Sequence, residues 1–309
     1  ADFRKDNGAA IRGVCCEFVV LCRRLELFTE ALVAIDGSKF KAVNNRDKNF
    51  TAAKMQRRLE QIDASIQRYL AQLDTADRQE PAVPETKRSR LQDKIARLKQ
   101  EMERLQGLEV QRQQAPDQQL SLTDPDARSM ATSGRGTGMV GYNVQTAVDA
   151  KHHLIVAHEV TNVGHDRGQL TNMAQQARTA MATTDLTVVA GRGYFDGEQI
   201  RACEQAGITT YLPRPLTSSS KAHGRFGKPD FIYDAGDDTY RCPAGERLIR
   251  RFTTVEAGMT LQVYWASTCP ACAIRAQCTT SKQPRRVRRW EHEAVIDALQ
   301  QRLDREPEK

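Results

Sequence analysis

Apolar positions near the start of the chain recur at spacings of three and four, at Ile11, Val14, Phe18, Leu21, Leu25 and Phe28. That period places them on one face of a helix over residues 9–28. Residues 31–35 then form a short apolar run containing the β-branched Val33 and Ile35, closed by Asp36-Gly37. This predicts a buried strand with a carboxylate at its C-terminal tip and a glycine that permits a tight turn beside it. The clearest periodicity follows. Met55, Leu59, Ile62, Ile66, Tyr69 and Leu73 alternate spacings of four and three, and after a break holding Pro81 and Pro84, so do Leu91, Ile95, Leu98, Met102 and Leu105. Two heptad helices joined by a turn predict an antiparallel, coiled-coil-like hairpin. The Gln, Arg, Glu and Lys residues between the apolar positions read as a solvated face.

Beyond the hairpin, Asp124-Pro125 suggests a short helical turn, proline suiting the first helical position. Gly134, Gly136, Gly138 and Gly141 read as a flexible connection, because they lack the Lys-Ser/Thr of a phosphate loop. Residues 142–149 and 154–161 alternate and predict a β-hairpin with His152 and His153 in its turn. A helix is expected over about residues 166–180 and an inner strand over 186–190. Asp196, with Gln199 three residues on, marks a capped helix that ends at Gly207. A further strand over 208–212 is closed by Pro213 and Pro215. Residues 213–290 are rich in Ser, Gly, Pro, Arg and Cys and show little helical period, and a helix resumes at Glu291. The order of elements predicts an α/β fold with a mixed sheet.

Composition changes this picture modestly. Of the 309 residues, 28% are charged and 39% hydrophobic, which suits a water-soluble globular chain with a long exposed helical segment. The formal charge of +7 favours a polyanionic partner, most simply nucleic acid, although many soluble proteins are modestly basic. No run of about 18 apolar residues exists, so no membrane partner is expected. No secretory signal is present, and a cytoplasmic location is expected. The sequence begins with Ala1, as a processed chain or a piece of a longer frame would. Cys15, Cys16, Cys22 and Cys203 have no framework spacing and read as reduced thiols.

Four stretches occur in a telling order: ALVAIDGSKFKAVNN, LTDPDARSM, GYNVQTAVDAKHHLIVAHEVTN and VVAGRGYFDGEQI. Together they resemble the DDE transposases of bacterial insertion sequences, in a branch with a helical insert after the first catalytic acid. The resemblance implies an α/β, RNase H-like mixed sheet with an inserted antiparallel helical hairpin and a small Cys-rich insert. The chain then divides into a helical segment (1–30), the core (31–52 and 121–212), the coiled-coil insert (53–120), a Cys/Arg-rich insert (213–290) and the start of a C-terminal helix (291–309). It also implies Mg²⁺, DNA as partner, nucleoid association in a bacterium, and either a homo-oligomer or pairing with an intact transposase.

In such enzymes three carboxylates hold two divalent ions that stabilise the attacking and leaving oxygens. Asp36 matches the first acid. The second belongs where the family reads Asp-Arg-Gly-Tyr, and this chain has Gly191-Arg192-Gly193-Tyr194. As stand-ins, Asp196 is expected to be committed to its cap, Asp185 sits at the wrong end of its strand, and Asp149 is unplaced. The family's third acid, a Glu on a later helix, is expected beyond Lys309, and Glu291 and Glu293 do not match its motif. Lys39 and Arg192, near the first two positions, are candidate DNA contacts. The chain is therefore expected to be a catalytically defective transposase, or a non-catalytic DNA-binding remnant or partner of an intact one. A coiled-coil adaptor without nucleic acid is a third possibility.

Cys242, Cys269, Cys272 and Cys278 supply four thiolates, the number a tetrahedral structural zinc site needs, and similar cysteines sit in the family's insert. His292 or His223 are alternative ligands, and unliganded thiols are the plainer reading. Zinc would order a segment too polar to fold unaided. Arg285, Arg286, Arg288 and Arg289, followed by Trp290, are candidate phosphate contacts.

Overall fold

A computed structural model describes residues 6–28, 30–43, 45–78, 85–130, 138–215 and 220–308. The chain forms two compact units. The first comprises residues 1–36, 145–159 and 166–309, and the second residues 37–144 and 160–165. Among the described residues, α1 is Gly8–Arg24, β1 Leu32–Lys41, β2 Asn49–Phe50, α2 Ala52–Asp77, α3 Glu85–Gln114, β3 Leu120–Ser121, β4 Arg128–Met130, β5 Met139–Asp149 and β6 Ile155–Thr161. Then come α4 Leu170–Met181, β7 Thr187–Ala190, α5 Gly197–Gln205, β8 Thr209–Tyr211, β9 Ile232–Asp234, β10 Thr239–Arg241, β11 Arg247–Glu256, β12 Met259–Trp265, β13 Val287–Trp290 and α6 Glu293–Arg305.

In the first unit the strand order is β5-β1-β7-β8, with β6 paired to β5. The pairs β1·β7 and β7·β8 are parallel, which makes the sheet mixed. Val33, Val188, Leu170, Met173, Ala177, Ile200 and Leu299 are buried together where α4, α5 and α6 cover the strands. Burying each large apolar side chain contributes about 1.5–3 kcal/mol, which is what holds these helices down. The cap of α5 is as expected: the Asp196 carboxylate accepts from the backbone N–H groups of Glu198 and Gln199. Gln199 itself does not complete the box. Its Oε1 accepts from the N–H of Thr171 at 3.1 Å and so fastens α5 to the start of α4.

Two expectations about β1 and its neighbourhood need correction. The strand does not end at Asp36 but runs to Lys41, so Gly37 makes no turn. The reason lies in the second unit. A Cβ on Gly141 would stand 1.9 Å from the carbonyl oxygen of Phe40, so only glycine lets β5 approach β1 there. Gly141 thus belongs to a strand and not to a flexible connection; Gly134 and Gly136 lie outside the described residues. Asp124-Pro125 likewise begins a turn, closed by the Ala127 N–H on the Asp124 carbonyl at 3.1 Å, and no helix follows.

The second unit holds the two long helices. Met55, Ile62, Ile66, Ile95 and Leu105 are buried between them, flanked by Leu59, Tyr69, Leu73, Leu98 and Met102. These are the heptad positions. Phe50 pairs with Leu120 in the β2·β3 ladder that joins the base of the helices.

Residues 213–290 hold far more structure than their composition suggests. Five antiparallel strands, in the order β13-β12-β11-β10-β9, bury Phe231, Tyr240, Leu248, Tyr264, Ala266, Cys278 and Val287 on one face. Tyr233, Tyr240 and Tyr264 pack with tilted and edge-on rings at 5.0–6.4 Å. This is a core of tyrosines, each carrying its own polar handle. The segment thus has a core of its own, which its composition did not suggest.

Candidate active site

The site lies where β1 and β7 run side by side. Their register pairs Leu32 with Thr187 and Ile35 with Ala190, so Asp36 and Gly191 are the next residues along the two strands. Val33 and Ile35 point into the core, and Asp36 is exposed on the other side. Gly191 keeps an extended backbone, φ −73° and ψ 169°, before a 3-10 turn at Arg192–Tyr194. A Cβ at residue 191 would meet no atom within 4 Å. In-register neighbours on parallel strands share a face. A side chain at 191 would therefore have room, and would stand on the side of Asp36.

Polar groups that the sequence did not single out back this edge. Tyr194 is only 1% exposed. Its hydroxyl donates to Oε1 of Gln145, a fully buried residue of β5. The Gln145 Nε2 donates in turn to Oδ1 of Asp166 at 2.9 Å. The other Asp166 oxygen lies 3.4 Å from where a Cβ on Gly193 would stand. Burial, and then the negative charges of Asp166 and Asp36, push the Tyr194 phenol far above its ordinary value. Both carboxylates therefore act on the same hydroxyl. The Asp36 carbonyl accepts from Thr146 Oγ1 at 3.4 Å, which ties β1 to β5.

The three stand-ins weighed from sequence are occupied elsewhere. Asp196 caps α5. Asp149 is fully buried in the hairpin turn, where it accepts from the His152 N–H at 2.6 Å. Asp185 precedes β7 and engages Thr183 and Thr184. Glu293 accepts from Lys228 at 2.6 Å, Arg214 at 3.2 Å and the Trp290 N–H at 3.1 Å. Burial pushes its carboxyl up, but these partners together hold it below the usual range. Two-ion chemistry needs several converging carboxylates. Gly191 offers none, and among the described residues no group of three or more His, Cys, Asp or Glu side chains has metal-holding geometry. The donors at this edge do not fit two Mg²⁺ ions.

Of the candidate DNA contacts, Lys39 is half-buried on β1 and Arg192 is exposed in the turn after Gly191. The run from Arg285 to Arg289 is divided between the two faces of β13, because side chains alternate along a strand. Arg286 and Arg288 are exposed. Arg289 is not available to DNA: it is 8% exposed, lies 3.7 Å over the Tyr233 ring and bonds Asp297 at 2.7 Å. Arg285 lies over the Phe231 ring at 5.8 Å.

The four late cysteines do come together. Cys242, Cys269, Cys272 and Cys278 line one cavity with Phe231, Leu248 and Arg285. All four are free thiols. Burial, and then Cys242, Cys272 and Cys269, push the Cys278 thiol up. Their sulfurs are not drawn into ligand geometry, and Cys269 Sγ accepts from the Arg285 N–H at 3.4 Å. His223 and His292 are not among the residues that line the cavity.

One acid on the central parallel pair of a mixed sheet, flanked by an antiparallel hairpin and covered by helices, is consistent with an RNase H-like transposase domain. Residues 106–251 match the family model described as Transposase DDE domain. The match spans just under half of the chain and is to a family that generally uses a divalent metal. The match includes Gly191 and begins after Asp36. No curated protein and no solved structure matches the chain. Among the described residues no helix is long and apolar enough to cross a membrane.

Proposed function

We propose that this chain is a transposase polypeptide of a bacterial insertion sequence that binds DNA but does not, by itself, cleave or join it. The observation that supports the reading is the β1·β7 register, which pairs Ile35 with Ala190 and leaves Asp36 and Gly191 as the next residues along the two chains. Metal affinity falls roughly 10–100-fold for losses around a ligand, and loss of a ligand itself costs more. A polypeptide of this kind can still occupy DNA ends or pair with an intact transposase. The test is nicking of supercoiled plasmid in Mg²⁺. The wild-type chain should match Asp36→Asn at background. Nicking that Asp36→Asn abolishes would show that another ligand completes the site.

The cysteine cavity supports a second, structural assignment within the same reading. Four thiols that line one cavity, Cys269 and Cys272 on the same turn, match in number the donors of a tetrahedral Zn²⁺ site. Purified without chelators, the chain should hold about one zinc, lose it to a thiol reagent, and lose it again in Cys272→Ser. Metal-free protein whose melting is indifferent to added zinc would remove the assignment.

A further inference from the structure

The five-stranded sheet has a second face. Ile249 pairs with Trp265, Phe252 with Val263, and Val263 with Arg288, so these residues lie opposite the tyrosine core. The register shifts between Arg250 and Phe252. Such an irregularity re-aims the extra residue, here Arg251. Its Nη2 donates to Ser267 Oγ at 2.8 Å, and its guanidinium lies 5.5 Å from the centroid of the Trp265 ring. Arg286 stands 5.3 Å from the same ring. Phe252 meets Trp265 edge-on at 5.8 Å. Ile249 and Phe252 remain 41% and 43% exposed. Acids pair with two other cations of this face: Glu256 with Arg288 at 2.7 Å and Asp237 with Arg247 at 3.0 Å.

We infer that this face binds the phosphodiester backbone of DNA, with Arg251 and Arg286, held over Trp265, as a preorganised pair of phosphate contacts. The inference rests on the DNA-binding reading above and specifies its surface. Each guanidinium is held within about 6 Å of the same ring, and both are cations that a phosphate would attract. The ring restricts the motion of both planar forks, so less freedom is lost when they engage phosphate oxygens. Because the guanidiniums cover Trp265, its ring is not offered to a base, and contacts to backbone carry no sequence information. Arg289 and Arg285 are taken up inside the fold and at the cysteine cavity, whereas Arg251, far away in sequence, completes the pair.

The test is fluorescence anisotropy of a labelled duplex of arbitrary sequence, titrated with the full chain over a range of salt concentrations. Arg251→Gln and Arg286→Gln should each weaken binding equally for unrelated sequences and reduce the slope of log affinity against log salt by about one, the double variant by about two. Arg104→Gln removes the same charge from an exposed residue of α3 paired with Glu101, away from this sheet, and should leave the slope unchanged. Unchanged far-UV circular dichroism and melting confirm that the variants fold. If the wild type binds and all three variants share one slope, the surface is wrong while DNA binding stands. If the wild type does not bind even at low salt, the reading beneath it fails as well.

Discussion

Gly191→Asp is the most informative single change. The parallel register sets residue 191 beside Asp36 on the same face, and adjacent strands lie about 4.7–4.9 Å apart. A new carboxylate meets no steric barrier, since its Cβ has no neighbour within 4 Å. It does meet a charge. Two carboxylates about 5 Å apart in a water-like dielectric repel by about 1 kcal/mol, the right regime for an exposed Asp36. Metal-free Gly191→Asp protein should therefore melt about 2–4 °C lower than wild type. A divalent ion reverses the sign. At about a hundred times the dissociation constant, ligand linkage returns about 2.7 kcal/mol, or about 5–10 °C. The assay is differential scanning calorimetry with and without Mg²⁺ on wild type, Gly191→Asp, and Gly191→Asp with Asp36→Asn. Only Gly191→Asp should gain from the metal. A wild-type chain that gains as much, and loses the gain in Asp36→Asn, refutes the reasoning and points to Asp166 as the ligand overlooked.

Three further outcomes are expected. Tyr194→Phe removes the hydroxyl that donates to the buried Gln145 Oε1 and should cost about 1–3 kcal/mol in urea unfolding. Gly141→Ala drives a Cβ to within 1.9 Å of the Phe40 carbonyl and should cost about 3 kcal/mol or more, seen as a lowered denaturation midpoint. Glu293→Gln leaves Lys228 and Arg214 without their carboxylate. It should cost about 3 kcal/mol, the low end for a broken buried pair, because those cations are 32% and 39% exposed. Its pH dependence follows from sign. The folded carboxyl is held below its unfolded value, so the stabilisation is present above about pH 4.3 and is lost as pH falls through the folded value. Glu293→Gln should flatten the acid limb of the wild-type stability curve, and equal slopes for the two proteins would count against the assignment.

What the sequence disclosed was whatever repeats. The heptads of α2 and α3, the apolar strands β1 and β7, and the cap at Asp196 are local patterns, and each lies where its spacing put it. What it concealed depended on partners. The length of β1 beyond Asp36 is set by a strand that comes a hundred residues later, through the approach of Gly141. β5 alternates as expected, yet it buries its polar side, with Asn143, Gln145 and Asp149 at 0% exposure. Alternation fixes two faces without saying which one is covered. β11 hid because arginine, threonine and an irregular register occupy both its faces, and its core is tyrosine rather than valine. Gln145 and Asp166 carried no spacing that marked them, and became visible only once Tyr194 was seen to reach the first of them.

The same geometry explains how such a fold persists without its second acid. Position 191 contributes nothing to packing: it faces away from the core, and no atom comes within 4 Å of where its Cβ would stand. The core beside it is made by Val33, Ile35, Val188, Ala190 and Tyr194, none of which senses a substitution pointing outward. In the absence of metal, an aspartate there is a cost, since it repels Asp36. Metal-binding carboxylates are groups that stability alone does not select, and replacing one commonly leaves the folded state no worse. Glycine at 191 avoids that repulsion, and the sheet, the α5 cap and the helical covering are all in place around it.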